Sequence, residues 1–410
     1  MGCTDQQRPL RQPHGHRPAE IIPARDRPRA DAGPLVYPFH LETPLSPFAT
    51  LADNLHQAFR KAPRKDRGPS PAFISYLEII YTPAEARLFQ HMAAYPGFMT
   101  TQHIADTAGV TEDAAQDLLE QGAAKNAVTR MGNAWCLPPM PLLLNLTAGL
   151  SAADFDTKKA ARLHREFFVE DGYYKYYQTS EAGTPSMRTI PVKQSITPEE
   201  KILTSEEAHQ LINDLNHEDL VLAPCPCRSR QESLGQRRCK ENNPVGSCIF
   251  LGISALQMEA AGVGERVTKV QALEYFDAMH ATGLVPTTDN TLRDNIIICL
   301  CCSCCCSHLG GRTLWDNPTA VAPSNFIPQP DTHCKYCGQC AKACPTQALT
   351  VTAKPKAFDL KIDQCLGCGV CTQACPRESL KLKRQDRARP FPSQDSLYKA
   401  LARENHRTYL

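Results

Sequence analysis

Apolar positions recur at helical spacing in "TPAEARLFQHM" (82–92), where Pro83 suits a first helical turn and Ala84, Leu88 and Met92 share a face. Two further short helices are predicted by "TTQHIADTAG" and by "TEDAAQDLLEQGAA", the second capped by Thr111. Gly132 then separates "AVTRM" from "NAWCL", a pair of candidate strands around a turn. Beyond them "SAADFDTKKAARLHREFF" has a helical pattern, and "YYKYY" (173–177) reads as aromatic packing. A capping box from Thr204 to Glu207 predicts a helix through Leu211, Ile212 and Leu215, and "LVLAP" a strand that runs into cysteines. Helices over about 247–261 and 268–281 and a buried strand "NIIICL" complete the middle of the chain. If the two strands are neighbours, they bring two groups of cysteines to one region.

Residues 1–70 carry eleven prolines and eleven Lys or Arg without a usable period, which predicts a disordered or loosely draped arm. The remainder divides into segments 71–145, 146–325 and 326–382 and a basic tail 383–410, an α+β multidomain organisation. Three helices followed by a hairpin over 83–137 resemble a winged-helix domain. A DNA-reading winged helix would carry basic residues on its third helix. This one carries Glu112, Asp113, Asp117 and Glu120 against Lys125, so a protein-interaction or structural role is expected and nucleic acid is not. Cys136, beside Trp135, reads as a small core residue.

Composition adds one decisive fact. The formal net charge is +2, which advertises neither nucleic acid nor a membrane surface, and no stretch has the roughly 18–20 apolar residues of a spanning helix. Of twenty cysteines, eighteen fall within 225–375, leaving Cys3 and Cys136 outside. No apolar h-region follows Met1, so the expected setting is a reducing, cytoplasmic one in which thiols serve as ligands rather than as disulfides.

The clearest motif is C-x2-C-x2-C-x3-C-P, present twice in register: "CKYCGQCAKACP" from Cys334 and "CLGCGVCTQACP" from Cys365. It resembles the bacterial two-cluster ferredoxin pattern over about 334–382. That resemblance implies two 4Fe–4S clusters with crossed ownership, one held by Cys334, Cys337, Cys340 and Cys375, the other by Cys365, Cys368, Cys371 and Cys344. Gly338 and Gly369 allow the backbone to approach each cluster, Pro345 and Pro376 turn the chain away, and "ALTV" and "SLKL" are expected to pair as short strands. Zinc is the alternative for four thiolates, but its motifs pair two C-x2-C knuckles.

Ten more thiols lie upstream: Cys225 and Cys227 in "PCPCR", Cys239, Cys248, and the run Cys299, Cys301, Cys302, Cys304, Cys305 and Cys306. On an extended segment Cys299, Cys301 and Cys305 would face one way and Cys302, Cys304 and Cys306 the other, so one strand would feed two sites. Ten thiols suffice for two tetrathiolate sites with two spare; one or two further 4Fe–4S clusters are the first expectation and zinc the second. The long spacing of heterodisulfide reductase motifs is missing. The arrangement as a whole resembles a group of cysteine-rich iron–sulfur proteins of bacteria. Arg228, Arg230, Arg237 and Arg238 offer charge compensation or a solvated loop, and His308 and His333 read as hydrogen-bonding or solvent-facing residues rather than ligands.

The "GVGERV" stretch is no dinucleotide fingerprint, so a flavin or nicotinamide would sit on another subunit. The expected function is an electron-transfer protein relaying single electrons to a redox partner, an electron carrier or oxidoreductase subunit more than an enzyme in its own right. The alternatives are a redox-sensing winged-helix regulator and the iron–sulfur subunit of a reductase. The tail, with eight Lys or Arg counted over 381–410 and a short helix through Leu397 and Leu401, is expected to latch onto the protein's own surface.

Overall fold

The computed structural model describes residues 46–410 apart from 201, 203–205, 388, 408 and 410. Helix α1 (Pro47–Leu55) buries Phe48, Leu51, Ala52 and Leu55. The expected arm is therefore corrected from residue 46 onward, while its residues 1–45 lie outside the described ones. One short apolar face inside a proline-rich stretch gives too few turns to register as a period, yet it is buried once helices pack on it. A hairpin of β1 (Arg64–Lys65) and β2 (Gly68–Pro69) leads to α2 (Pro71–Ile80), capped by Ser70, and α3 (Pro83–Phe89).

The buried face of α3 matches the predicted one only in part: Leu88 and Met92 are buried. Ala84 is exposed and Met92 lies beyond the helix, whereas Glu85, Ala86, Leu88 and Phe89 are buried. A carboxylate is tolerated there because Glu85 closes a capping box with Thr82 and accepts from Lys125 Nζ at 2.6 Å. Next come β3 (Met99–Thr100), α4 (Thr101–Ala108), α5 (Glu112–Ala124), β4 (Thr129–Met131) and β5 (Ala134–Cys136), with Thr111 capping α5 as expected. The three strands form an antiparallel sheet in the order β3-β5-β4.

One apolar core runs from Phe48 to Val263, across the boundary expected at 145. It takes in α6 (Met140–Leu143), α7 (Thr157–Arg165) and α8 (Tyr174–Gln178), with Tyr173, Tyr174 and Tyr177 of the aromatic stretch buried. Asp156 caps α7, so the preceding "SAADF" is not helical.

The middle of the chain is a six-stranded sheet. Its elements, in chain order, are β6 (Met187–Thr189), α9 (Ala208–Asn213), β7 (Leu220–Pro224), α10 (Pro226–Ser233), β8 (Ser247–Leu251), α11 (Ile253–Ala260), β9 (Glu265–Arg266), α12 (Lys269–His280), β10 (Val285–Asp289) and β11 (Ile297–Cys301). The order is β6-β10-β11-β8-β7-β9, antiparallel throughout. Residues 247–251 are thus a strand, not the start of a helix: after Ser247, "CIFL" is a continuous apolar run that helical and strand periods both accommodate. That strand, which itself carries Cys248, separates β7 from β11, so the two strands expected to deliver the cysteines share a sheet without being neighbours. Glu207, not Thr204, caps α9 with its own carboxylate, and Thr204 lies outside the described residues.

After α13 (Gly310–Thr313) the chain forms β12 (Phe326–Pro330), α14 (Gln339–Ala343), β13 (Leu349–Ala353), β14 (Lys356–Leu360), α15 (Val370–Gln373) and β15 (Leu380–Arg384). The "ALTV" and "SLKL" strands do not pair with each other: β13 pairs with β14 and β15 with β12. The tail helix α16 (Gln394–Glu404) buries Leu397 and Leu401 against Phe59, and Asn405 Nδ2 donates to the Phe59 carbonyl at 2.9 Å.

Two buried histidines link the fold to pH. Burial holds His164 well below the ordinary imidazole range and also lowers His280, where the Leu284 carbonyl opposes it in part. Both are neutral in the fold but take up protons near pH 6.5 when unfolded, so stability is complete above that pH and is lost as pH falls below it. The free energy of unfolding under anaerobic conditions is expected to fall between about pH 7.5 and pH 5.5, by about 1.4 kcal/mol for a histidine that stays neutral throughout, as His164 does. Replacing His164 with leucine should remove part of that loss; a midpoint indifferent to pH over this range contradicts the argument.

Candidate metal centres

The C-terminal repeat closes two small cavities. One is walled by Cys334, Cys337, Cys340 and Cys375, with Phe358 and Leu380. The other is walled by Cys344, Cys365, Cys368 and Cys371, with Leu366 and Leu382. Each wall takes three cysteines from one loop and the fourth from the other half. Gly338 and Gly369 stand at positive φ (77° and 82°) at the starts of α14 and α15. At Gly369 a Cβ would also come within 2.5 Å of Ser195 Oγ. Backbone N–H groups donate to the thiols: Tyr336 to Cys334, Ala348 to Cys344 and Gly367 to Cys365, at 3.5, 3.3 and 3.4 Å.

Residues 333–379 match the family described as the 4Fe-4S dicluster domain. No curated protein and no solved structure matches the chain. The dicluster segment has the donor chemistry such clusters need: four thiols around each cavity and N–H donors toward the sulfurs. This chain therefore carries an iron–sulfur domain with the capacity for electron transfer.

The two cavities of the dicluster domain differ in exposure. Cys337 is exposed, whereas Cys365, Cys368 and Cys371 are buried. Burial pushes the Cys368 thiol up to about 12 and raises Cys365 and Cys371 as well. At Cys375 burial acts upward too, but hydrogen bonds from Ser379 and from backbone N–H groups at 377, 379 and 380 outweigh it, and the thiol is lowered.

The ten central thiols divide four and six. Cys239, Cys302, Cys304 and Cys305 have their sulfurs all within 4.8 Å of one another. The other six form a closed ring, Cys225–Cys227–Cys306–Cys301–Cys299–Cys248 and back to Cys225, each thiol touching two neighbours. The Cys299–Cys248 and Cys306–Cys301 sulfurs lie 3.6 and 3.2 Å apart. Strict alternation along 299–306 fails at the end of the run: Cys305 joins Cys302 and Cys304, and Cys306 joins Cys299 and Cys301. The reason is that β11 ends at Cys301 and the chain enters turns, so the period of two stops there.

Each thiol has one S–H to donate and a sulfur that accepts, so six thiols can close a ring head to tail. Hydrogen bonds with both neighbours lower Cys227, Cys248 and Cys301 (Cys301 to about 6) and raise Cys225, Cys299 and Cys306. Cys225 precedes α10 and Cys227 sits in its first turn, where the helix dipole favours thiolate. The ring borders a cavity of about 180 Å³ whose walls also include Arg60, Tyr177, Asp289 and Tyr398.

The arginines separate by depth. Arg228 is 1% exposed and donates to the carbonyls of Val245 and Leu300; Arg230 is buried and donates to Leu144 O and Asn145 Oδ1. Arg237 is ion-paired with Glu232, and Arg238 is exposed. His308 is half-buried against the Tyr177 ring at 4.8 Å, and desolvation lowers it to about 3, whereas His333 is exposed. Cys136 is fully buried in the core, where desolvation raises it to about 12. Thr287 and Ser307, which hydrogen-bond the ring at Cys301 and Cys227, carry no signal in the sequence that would single them out.

Apolar packing joins the compartments. Cys368 shares one cluster with Cys301 and Cys306, through Leu366, Val370, Val285 and Leu309. A second cluster connects the two dicluster cavities through Cys371, Leu349 and Leu380, against Cys340, Cys344 and Cys375. Among the described residues no helix is long and apolar enough to cross a membrane.

Proposed function

We propose that the chain is a relay that passes single electrons from a redox partner, through the dicluster domain, to a metal centre held by the ring of six thiols. Cys334, Cys337, Cys340 and Cys375 would hold the outer cluster, and Cys344, Cys365, Cys368 and Cys371 the inner one. Such clusters, when bound, supply reversible one-electron chemistry at low potential. The observation that carries the proposal is the gradient of burial from exposed Cys337, through buried Cys368, to ring cysteines packed in the same apolar cluster. Cys337 gives a partner an entry point, and the apolar walls around Cys368 exclude water.

The order of elements over 83–137 supports a winged-helix-like module that docks a protein. The exposed acidic residues of α5 oppose phosphate, and Lys125 is engaged by Glu85. The nineteen described cysteines are free thiols, in keeping with a reducing, cytoplasmic setting.

Anaerobic stopped-flow reduction tests this. With a bulky protein reductant, the dicluster domain is expected to reduce before the central centre, and mutation of Cys337 to alanine should slow both phases. Simultaneous reduction of all centres, unaffected by that mutation, would sink the relay. Salt-sensitive binding to duplex DNA would favour a redox-sensing regulator instead.

A further inference from the structure

The four-thiol group has a size of its own. Zinc–thiolate bonds of about 2.3 Å in a tetrahedron place the sulfurs about 3.8 Å apart. The sulfurs of Cys239 and Cys302 are 3.8 Å apart, those of Cys239 and Cys305 3.7 Å, and those of Cys304 and Cys305 3.5 Å. Among the described residues no other group of three or more His, Cys, Asp or Glu side chains brings its ligand atoms together this closely. The eight cysteines of the dicluster domain supply the internal contrast: they surround cavities with room between opposing thiols, because a cubane places irons and sulfides there. The ring of six likewise opens onto a cavity. The sulfurs of the four-thiol group, all within 4.8 Å of one another, stand too close together to surround a cubane.

We propose that Cys239, Cys302, Cys304 and Cys305 bind a single zinc ion in a closed, structural site, distinct from the electron path. Four thiolates fill the tetrahedron and leave no open position for a substrate. Arg237, whose guanidinium reaches Cys239, and Arg228, which faces Cys302, offset the net negative charge of the site. The site ties the 235–243 loop to the turn after β11. Its residues 302–305 lie between Cys301 and Cys306, so fixing this turn places both of those cysteines in the ring. An open cleft reaches Cys239, Cys302 and Cys304, through which the ion can exchange.

The test uses the full chain purified anaerobically from zinc-replete and zinc-depleted cultures. Expected are about one zinc per chain and a zinc K-edge absorption fit with four sulfurs at about 2.3 Å. Cys239 is the one ligand outside the 299–306 run, so Cys239→Ser should lose the zinc while the eight irons of the dicluster domain, about four per cluster, remain. Should that variant fail to fold, cobalt substitution of the unmutated chain serves, with intense thiolate-to-cobalt bands and tetrahedral ligand-field bands expected. A chain without zinc overturns the proposal, whether the four thiols then hold one iron or a cluster, and so does a zinc edge with nitrogen or oxygen ligands. The order of reduction in the relay experiment does not depend on this result, so either proposal can fail alone.

Discussion

Replacing Arg228 with methionine is expected to lower the stability of the chain by about 3–5 kcal/mol and to make the central centre harder to reduce. Burial alone would favour the neutral form of this guanidinium, but the thiols of Cys225, Cys248, Cys302 and Cys301 overcome that and hold it charged. The same side chain bonds Val245 O and Leu300 O, tying the approach to β8 to the cysteine-bearing strand β11. Methionine fills similar volume, yet it leaves both carbonyls without a donor and the thiolates without a counter-charge. Loss of a positive charge beside an anionic centre disfavours the added electron, so the midpoint potential moves negative. Denaturant unfolding and a redox titration check the two effects. Arg228→Lys separates them: it keeps the charge and most of the potential but loses the paired donors and part of the stability. A methionine variant with both properties unchanged would show that the guanidinium is not coupled to the ring.

Cys368→Ala should cost about four irons per chain and break the path between the outer site and the ring. Cys368 is 7% exposed, in a cavity that offers a fifth cysteine neither as substitute nor as neighbour in the wall. Its side chain also belongs to the apolar cluster that contains Cys301 and Cys306, where the dicluster domain meets the ring. The outer site, held by other residues, should still accept an electron, while the central centre no longer follows on the time scale of the intact chain. Iron analysis and stopped-flow spectroscopy read the two halves of this prediction. Normal reduction of the central centre in a variant that has lost the inner irons would mean that electrons reach the ring by another route.

Much of the C-terminal site was legible before folding was considered. Three of the four thiols in each set come from one short loop, and the fourth is announced by the same motif 31 residues away, so local spacing carries nearly all the information. The glycines at 338 and 369 follow from the same repeat. The pairing of "ALTV" and "SLKL" did not follow, because each strand found a partner, β14 or β12, that has no cysteine pattern to mark it. Likewise "SCIFL" could not be told from a helix by period, and only its place between β7 and β11 makes it a strand.

The central thiols show where local information ends. Residue type alone made Cys225, Cys227, Cys239, Cys248 and the 299–306 run candidate ligands, because so many thiols have no use in packing. Their division into four and six rests on contacts between segments up to eighty residues apart, such as Cys227 with Ser307. It also rests on where β11 stops, since alternation of side chains holds only while backbone remains extended. That end point is set by the partners of the strand in the sheet, and partners distant in the chain leave no trace in local spacing. Composition and spacing thus identify ligands; long-range packing assigns them to sites.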